Sequence, residues 1–472
     1  MIPSLANPSS RAVPLTVLAE ADFAAWRKRQ PGPVRAWAET CGFSAKPGSV
    51  LLIQDVRGHL VRAVAGIEPK PAIWALAGLP ARLPEGVYRL DPQPRTEDAA
   101  DWALGWALGG YAFDRYKKAN PAKAKLAWPA MVERDRLRAL HRAILLVRDL
   151  VNSPAGDLGP GDLGKAAQAV GREFGAKVKR IKGAALLKAN FPAIHAVGRG
   201  SARPPELVDL VWGDPKAPKV TLVGKGVCFD SGGLDLKNSS AMKLMKKDMG
   251  GAAHALALAM LVMACRLPLR LRLLIPAVEN LPGAHALRPL DILRMRNGLT
   301  VEVGNTDAEG RLILADALAE ASAEKPALLI DFATLTGAAR SALGPDLPAL
   351  FTPDEGLAKR IESHARTRAD PVWRLPLWPG YRSMLESKMA DLNSAPDSPF
   401  AGAITAALFL ERFVESGVPW AHFDLYAWNA ESRPGRPAGG DMMTVRALFN
   451  MLESEFPLRR RDRRSQKRLK GS

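Results

Sequence analysis

Val220-Thr221-Leu222-Val223 runs directly into Gly224-Lys225-Gly226-Val227-Cys228-Phe229-Asp230-Ser231-Gly232-Gly233. The first four residues read as a short buried strand, and the glycine-rich segment that follows gives way, past Asp248, to Ala- and Leu-rich helical periodicity. The same succession of strand run, loop and helix recurs around Leu207 to Trp212, Leu271 to Ile275, Leu299 to Val303 and Ala327 to Phe332. This pattern predicts an α/β fold whose larger part is an α/β/α layered domain with a central mixed sheet. Ligands of such sheets gather beyond the carboxyl ends of the strands, so polar residues just after a strand run are where chemistry is sought.

Working outward, 472 residues exceed one ordinary hydrophobic core and predict two domains. A smaller α/β domain is expected over residues 1–130, with apolar runs such as Val50 to Ile53 and an Ala-rich stretch from Asp98 to Phe113. Leu137, Leu140, Ile144, Leu145, Val147 and Leu150 recur at helical spacing until Asn152-Ser153-Pro154 breaks the pattern. A connecting helix is placed over 131–155, the main domain over 156–456, and a basic disordered tail over 457–472.

Composition narrows the function classes. Nearly half the residues are apolar and about a quarter charged, which fits a folded globular protein. Three distant cysteines, Cys41, Cys228 and Cys265, give neither a disulfide framework nor a zinc knuckle and imply a reducing compartment. With no signal-like start and no long apolar run, a cytoplasmic protein without membrane insertion is expected. The net charge of +18 invites a nucleic-acid reading, but eight of the basic residues lie beyond Pro457 opposite Asp462 alone. A like-charged terminus of this kind needs no fold or target.

Two strand ends of the larger domain are unusually rich in ionisable groups. The first holds Lys225, Asp230, Lys237 and Asp248 among glycines that permit close backbone approach. It lacks the Gly-x-x-x-x-Gly-Lys-Ser/Thr phosphate loop, and carboxylates this near would repel a phosphate. The second reads Asn305-Thr306-Asp307-Ala308-Glu309-Gly310-Arg311-Leu312. In an extended loop Asp307 and Glu309 would point to one side and repel each other unless a hard dication lay between them. Taken alone, the segment reads equally as a helix cap followed by a first-turn acid. None of the seven histidines falls in either segment, and Ser231 lacks a nucleophile elbow, so neither a histidine zinc site nor a serine triad is indicated.

Taken together, the two segments resemble the leucyl aminopeptidase (cytosol aminopeptidase, M17) family, whose signature is the octet Asn305 to Leu312. The likeness extends from Asp149-Leu150-Val151-Asn152-Ser153-Pro154 through Arg288-Pro289 and Asp331-Phe332-Ala333-Thr334-Leu335-Thr336-Gly337-Ala338 to Gly435-Arg436-Pro437. It implies a metal-dependent aminopeptidase acting on peptides with a free amino terminus. Two divalent ions, Mn or Zn with Mg as a further option, would be bridged by Asp230 and Glu309, one completed by Lys225 and Asp248 and the other by Asp307. It implies Lys237 as electrophile, Arg311 as holder of a bicarbonate general base, and a substrate pocket formed by Met245, Asn305, Thr334, Leu335 and Gly337. A homohexamer is also implied.

The chain departs from the family pattern at His422-Phe423-Asp424-Leu425-Tyr426-Ala427-Trp428-Asn429, where Tyr426 stands in place of an expected small pocket residue. Tyr426 is therefore counted with the substrate-binding residues, as a group that narrows or redirects the pocket. Two competing functions remain in view: a DNA-binding or regulatory role using the basic surface and tail, and a two-metal phosphoesterase, which would leave Lys225 and the octet unexplained.

Overall fold

The structure is a computed structural model that describes residues 2–94, 96–120 and 122–457; the tail expected over 457–472, and any nucleic-acid arm there, lies outside the described residues apart from Pro457. The chain divides into two compact units, residues 1–145 with 430–438, and residues 146–429 with 439–472. The helix Arg134–Asn152 contains the first boundary.

The smaller unit is built on six strands: β1 (Leu5–Ala6), β2 (Val13–Leu18), β3 (Val50–Gln54), β4 (Leu60–Gly66), β5 (Gly86–Leu90) and β6 (Ala124–Ala127). Their spatial order is β1-β6-β5-β2-β4-β3, parallel except for the β3–β4 hairpin. Trp26, Phe43, Leu51 and Val64 form a core on this sheet, with Phe23, Trp26 and Phe43 in mutual ring contact.

The larger unit holds β7 (Lys177–Lys182), β8 (Glu206–Trp212), β9 (Lys219–Gly224), β10 (Gly226–Asp230), β11 (Arg270–Asn280), β12 (Ile292–Arg294), β13 (Thr300–Glu302), β14 (Leu328–Ala333), β15 (Ala349–Phe351), β16 (Trp373–Arg374), β17 (Leu392–Asn393) and β18 (Trp420–Asp424). The main sheet runs β16-β15-β18-β14-β9-β11-β8-β7, with β10 also paired to β11. β18, β14, β9, β11 and β10 are mutually parallel, while β8, β7 and β15 pair antiparallel, so the sheet is mixed.

Two sequence readings are refined here. The run Leu299 to Val303 does form a strand, but β13 belongs to a separate three-stranded sheet with β12 and β17. A short apolar run cannot by itself reveal which sheet it joins. Nor is the alternation of strand and helix strict, because β8 passes into β9 through a short loop with no helix between them.

The helices Gly250–Ala264 and Glu309–Ala323 cover the sheet. From Gly250 to Met263 every residue of the former is buried, as expected of a helix that is apolar all round. Beneath the parallel strand ends Phe332 and Phe423 stack with centroids 5.5 Å apart, worth about 0.5–1.5 kcal/mol beyond their area. Among the described residues no helix is long and apolar enough to cross a membrane.

Candidate metal centre

All five parallel strands deliver polar groups at their carboxyl ends, where a doubly covered sheet leaves room for them. Lys225 follows β9, Asp230 ends β10, Asn280 ends β11, Thr334 follows β14 and Asp424 ends β18. Between the last residue of β10 and the helix at 250, Gly232 adopts φ +92°, and a Cβ there would lie 2.3 Å from the Asp235 carbonyl oxygen. The loop that carries Lys237 back toward Asp230 therefore needs glycine.

Of the two readings of the acidic octet the extended loop does not form, and the cap followed by a first-turn acid does, with Asn305 rather than Asp307 as the cap. Asn305 accepts a hydrogen bond from the Asp307 N–H at 2.7 Å and caps a 3₁₀ turn, Thr306–Ala308, and Glu309 is the first residue of the helix that follows. Asp307 and Glu309 converge because a tight turn enters a helix, not because alternate residues of an extended segment share a side. Their convergence is nonetheless close: carboxylate oxygens of Asp230, Asp307 and Glu309 all lie within 4.8 Å of one another.

Two lysines are woven into this cluster. Lys225, 3 % exposed, places Nζ 2.7 Å from Asp248 Oδ2 and 2.9 Å from Glu309 Oε1, and donates to the Thr334 carbonyl at 3.0 Å. Lys237 Nζ lies 2.8 Å from Asp230 Oδ2 and also pairs with Asp307. Gly310 makes the first arrangement feasible, since a Cβ there would stand 2.5 Å from the Lys225 Cε. Neighbouring groups hold the carboxylates in place: Asp230 Oδ1 accepts from Asn280 Nδ2 at 2.8 Å and from the Gly232 N–H at 2.9 Å, and Asp248 Oδ1 accepts from Thr334 Oγ1 at 2.8 Å.

Four carboxylates face two ammonium groups here, leaving two negative charges in excess. Burial and then Asp230 hold Glu309 well above the ordinary carboxylate range, and the same two causes push Asp307 up to about 6 against the pull of Lys237. For both lysines burial opposes the charge, but the surrounding carboxylates outweigh it and raise Lys225 and Lys237. Glu309 Oε2 is buried and has no hydrogen-bond partner among the described residues, a costly state for a carboxylate oxygen unless a cation sits beside it. The oxygen-rich donor set with one amine therefore fits divalent cations.

Asp230, Asp248, Asp307 and the two lysines of the cluster floor a cavity of about 440 Å³. Every residue expected to bind substrate, namely Met245, Asn305, Thr334, Leu335, Gly337 and Tyr426, lines it. Arg311 lines it too, donating through Nη1 to the Ser394 carbonyl at 2.7 Å while its buried Nε has no hydrogen-bond partner among the described residues; burial lowers this guanidinium to about 10. His254 is not among the cavity-lining residues: it is fully buried, with Nδ1 2.6 Å from the Gly250 carbonyl and Nε2 accepting from the Met443 N–H at 3.0 Å.

Several contributors were not singled out from the sequence. Asn280 orients Asp230, and its signal was a polar residue ending an apolar strand run. Asp424 pins the loop after β14, accepting from the Leu335 N–H at 2.9 Å, the Thr336 N–H at 3.2 Å and Thr336 Oγ1 at 2.6 Å. Lys247 and Arg340 also line the cavity, with Lys247 lowered to about 8 by burial.

Comparison with known proteins shows the family. Residues 145–449 match the cytosol aminopeptidase family catalytic domain, and residues 13–129 match the M17 aminopeptidase N-terminal domain. The chain is 43 % identical over 325 residues to a probable cytosol aminopeptidase of Syntrophotalea carbinolica, an alignment covering 68 % of this chain and 65 % of that protein. Its fold is similar to the crystal structure of a cytosol aminopeptidase from Coxiella burnetii, with a TM-score of 0.93, 48 % identity, and coverage of 96 % of this chain and 99 % of the other. It is likewise similar to the bottromycin maturation enzyme BotP in complex with Mn, with a TM-score of 0.85, 36 % identity, and coverage of 94 % and 100 %.

Proposed function

The chain belongs to the cytosol aminopeptidase (M17) family, and from that premise we propose that it is a metal-dependent aminopeptidase that hydrolyses the amino-terminal residue from peptides. The observation that carries the reading is the excess of buried carboxylate around Glu309 Oε2 at the carboxyl ends of five parallel strands. Lys225, Asp230, Asp248, Asp307 and Glu309 would hold two divalent ions, Mn, Zn or Mg. Such ions supply a water acidic enough to attack near neutral pH and polarise the carbonyl it attacks.

The remaining work falls to the protein's own side chains. Lys225 is held protonated between Asp248 and Glu309 and can serve as a ligand only as the free amine, so loading the site releases a proton. Lys237 is kept protonated by Asp230 and Asp307, and its ammonium is available to the developing oxyanion of the scissile carbonyl. Arg311, which lines the cavity and has a buried Nε without a hydrogen-bond partner among the described residues, is the group that would hold a bicarbonate base. Asp424 fixes the 334–336 backbone, and Met245, Thr334, Gly337 and Tyr426 surround the first side chain of the substrate. A Cβ on Gly337 would meet nothing within 4 Å, so that wall is left open.

The test is hydrolysis of a panel of aminoacyl amides beside a phosphoester, using chelated protein re-supplied with Mn, Zn or Mg. Metal-dependent release of the amino-terminal residue is expected, and activity that survives both chelation and Glu309→Gln would remove the reading. A cytoplasmic homohexamer is part of the same proposal; the exposed Trp373, Trp378, Met389 and Phe400 supply apolar surface for assembly, and light scattering would check it.

A further inference from the structure

The cavity floor balances its lysines with carboxylates, but one wall does not. Lys247 is 5 % exposed and lines the cavity, yet among the described residues no carboxylate comes within ion-pair distance of its ammonium. Its recorded partner is an aromatic ring: Nζ lies 4.6 Å from the centroid of Tyr426. Arg340 approaches the same ring, with Cζ 5.1 Å from the centroid, and it too lines the cavity without an ion-pair partner among the described residues. A ring quadrupole attracts a cation but does not neutralise it, so this wall carries two positive charges with no counterion in ion-pair contact among the described residues.

Nearby acids are already engaged. Asp248 is taken by Lys225 and Thr334, and Asp424 accepts three hydrogen bonds from Leu335 and Thr336. Lys247 is two residues from Met245, and both line the cavity with Tyr426, among the residues proposed above to surround the first side chain of a substrate. Tyr426 contacts the two cations, at the position where the family pattern has a small residue. We propose that Lys247, Tyr426 and Arg340 form a subsite for an anionic first side chain, making peptides that begin with glutamate or aspartate the favoured substrates. Tyr426 shortens the pocket and holds the two cations at its end, and a carboxylate arriving there supplies the counterion that the buried lysine lacks. This rests on the aminopeptidase reading of the same site.

The experiment compares kcat/KM for glutamyl and glutaminyl p-nitroanilides, which match in size and differ in charge, on the Mn-loaded protein. Glutamyl is expected to be favoured at least about tenfold. Lys247→Met should remove most of that preference, Lys247→Arg should retain it, and Arg340→Gln should weaken it less because that side chain is more exposed. The ratio is independent of how much enzyme is folded or loaded, so a purely structural role for Lys247 would leave it unmoved. A wild-type ratio at or below one, or a ratio unchanged by Lys247→Met, overturns the subsite while leaving the aminopeptidase reading intact. Should no aminoacyl substrate be cleaved, the aminopeptidase reading falls, and calorimetric titration of the Mn-loaded protein with glutamate and glutamine decides the subsite. Tighter glutamate binding that is lost in Lys247→Met sustains it, and equal binding overturns it.

Discussion

Lys225 and Lys247 stand on the floor and the wall of one cavity, both almost fully buried, and their surroundings drive them in opposite directions. Burial disfavours either ammonium. On the floor Asp248, Glu309 and Asp230 overcome that penalty and raise Lys225; on the wall nothing comparable does, and Lys247 falls to about 8. The floor holds surplus negative charge, the basis of the metal site proposed above, whereas the wall holds surplus positive charge. Equal burial thus says nothing about role until the counterions are traced.

The comparison breaks most visibly at the floor. Glu309→Gln keeps the volume but removes the charge that Oε2 presents without a partner. If metal assistance is worth several kcal/mol, activity on an aminoacyl amide should fall about 10³-fold or more. A variant within tenfold of wild type would mean that the cluster is not the reaction centre. Lys225→Met tests the compensation itself in metal-free protein: Asp248 and Glu309 lose their buried cation, and stability should drop by about 3–5 kcal/mol, read from the denaturant midpoint. An unchanged midpoint would show that the floor does not depend on its lysine.

A smaller effect is expected one contact further out. Asn280 Nδ2 donates to both Asp230 Oδ1 and the Thr306 carbonyl, tying β11 to the acidic turn. Asn280→Ala should weaken Mn affinity about 10–100-fold, by titration calorimetry, without changing the preference between glutamyl and glutaminyl substrates. If the preference moved with the affinity, floor and wall would not be separable.

The same division marks what the sequence made legible. The floor was readable because its residues sit in two contiguous segments directly after strand runs, and their order resembles a known family. Even there only one of the two geometries held: the extended loop did not form, whereas Glu309 is the first-turn acid of a helix, after a 3₁₀ turn capped by Asn305 rather than Asp307, and a two-residue spacing does not distinguish these. Asn280 was hidden because nothing in a strand's last residue announces a partner fifty positions away. The wall was less legible still. Lys247, Arg340 and Tyr426 come from three separated segments, and the missing counterion of Lys247 is a property of the packed surroundings, visible only when every neighbour is known. Tyr426 did signal a departure, but not its consequence.

The smallest predicted effect isolates the wall through pH. In metal-free protein the Lys247 ammonium has its folded pKa lowered to about 8, below the roughly 10.4 of an unfolded lysine. Between those values the unfolded chain binds the extra proton, so folding stability gains as pH rises through about 8 and the gain is complete near 10.4. Lys247→Met has no such group, and its advantage over wild type should be largest below pH 8 and shrink above it. From pH 7.5 to 9 the gap should narrow by about 1 kcal/mol, measured as the difference in denaturant midpoints at matched ionic strength. Lys225→Met offers no parallel, because the folded pKa of Lys225 is raised and its stabilising pairing stays in place throughout that window. A gap for Lys247→Met that stays constant with pH would mean that the buried ammonium has a counterion after all, and the distinction between floor and wall would fail at its weaker side.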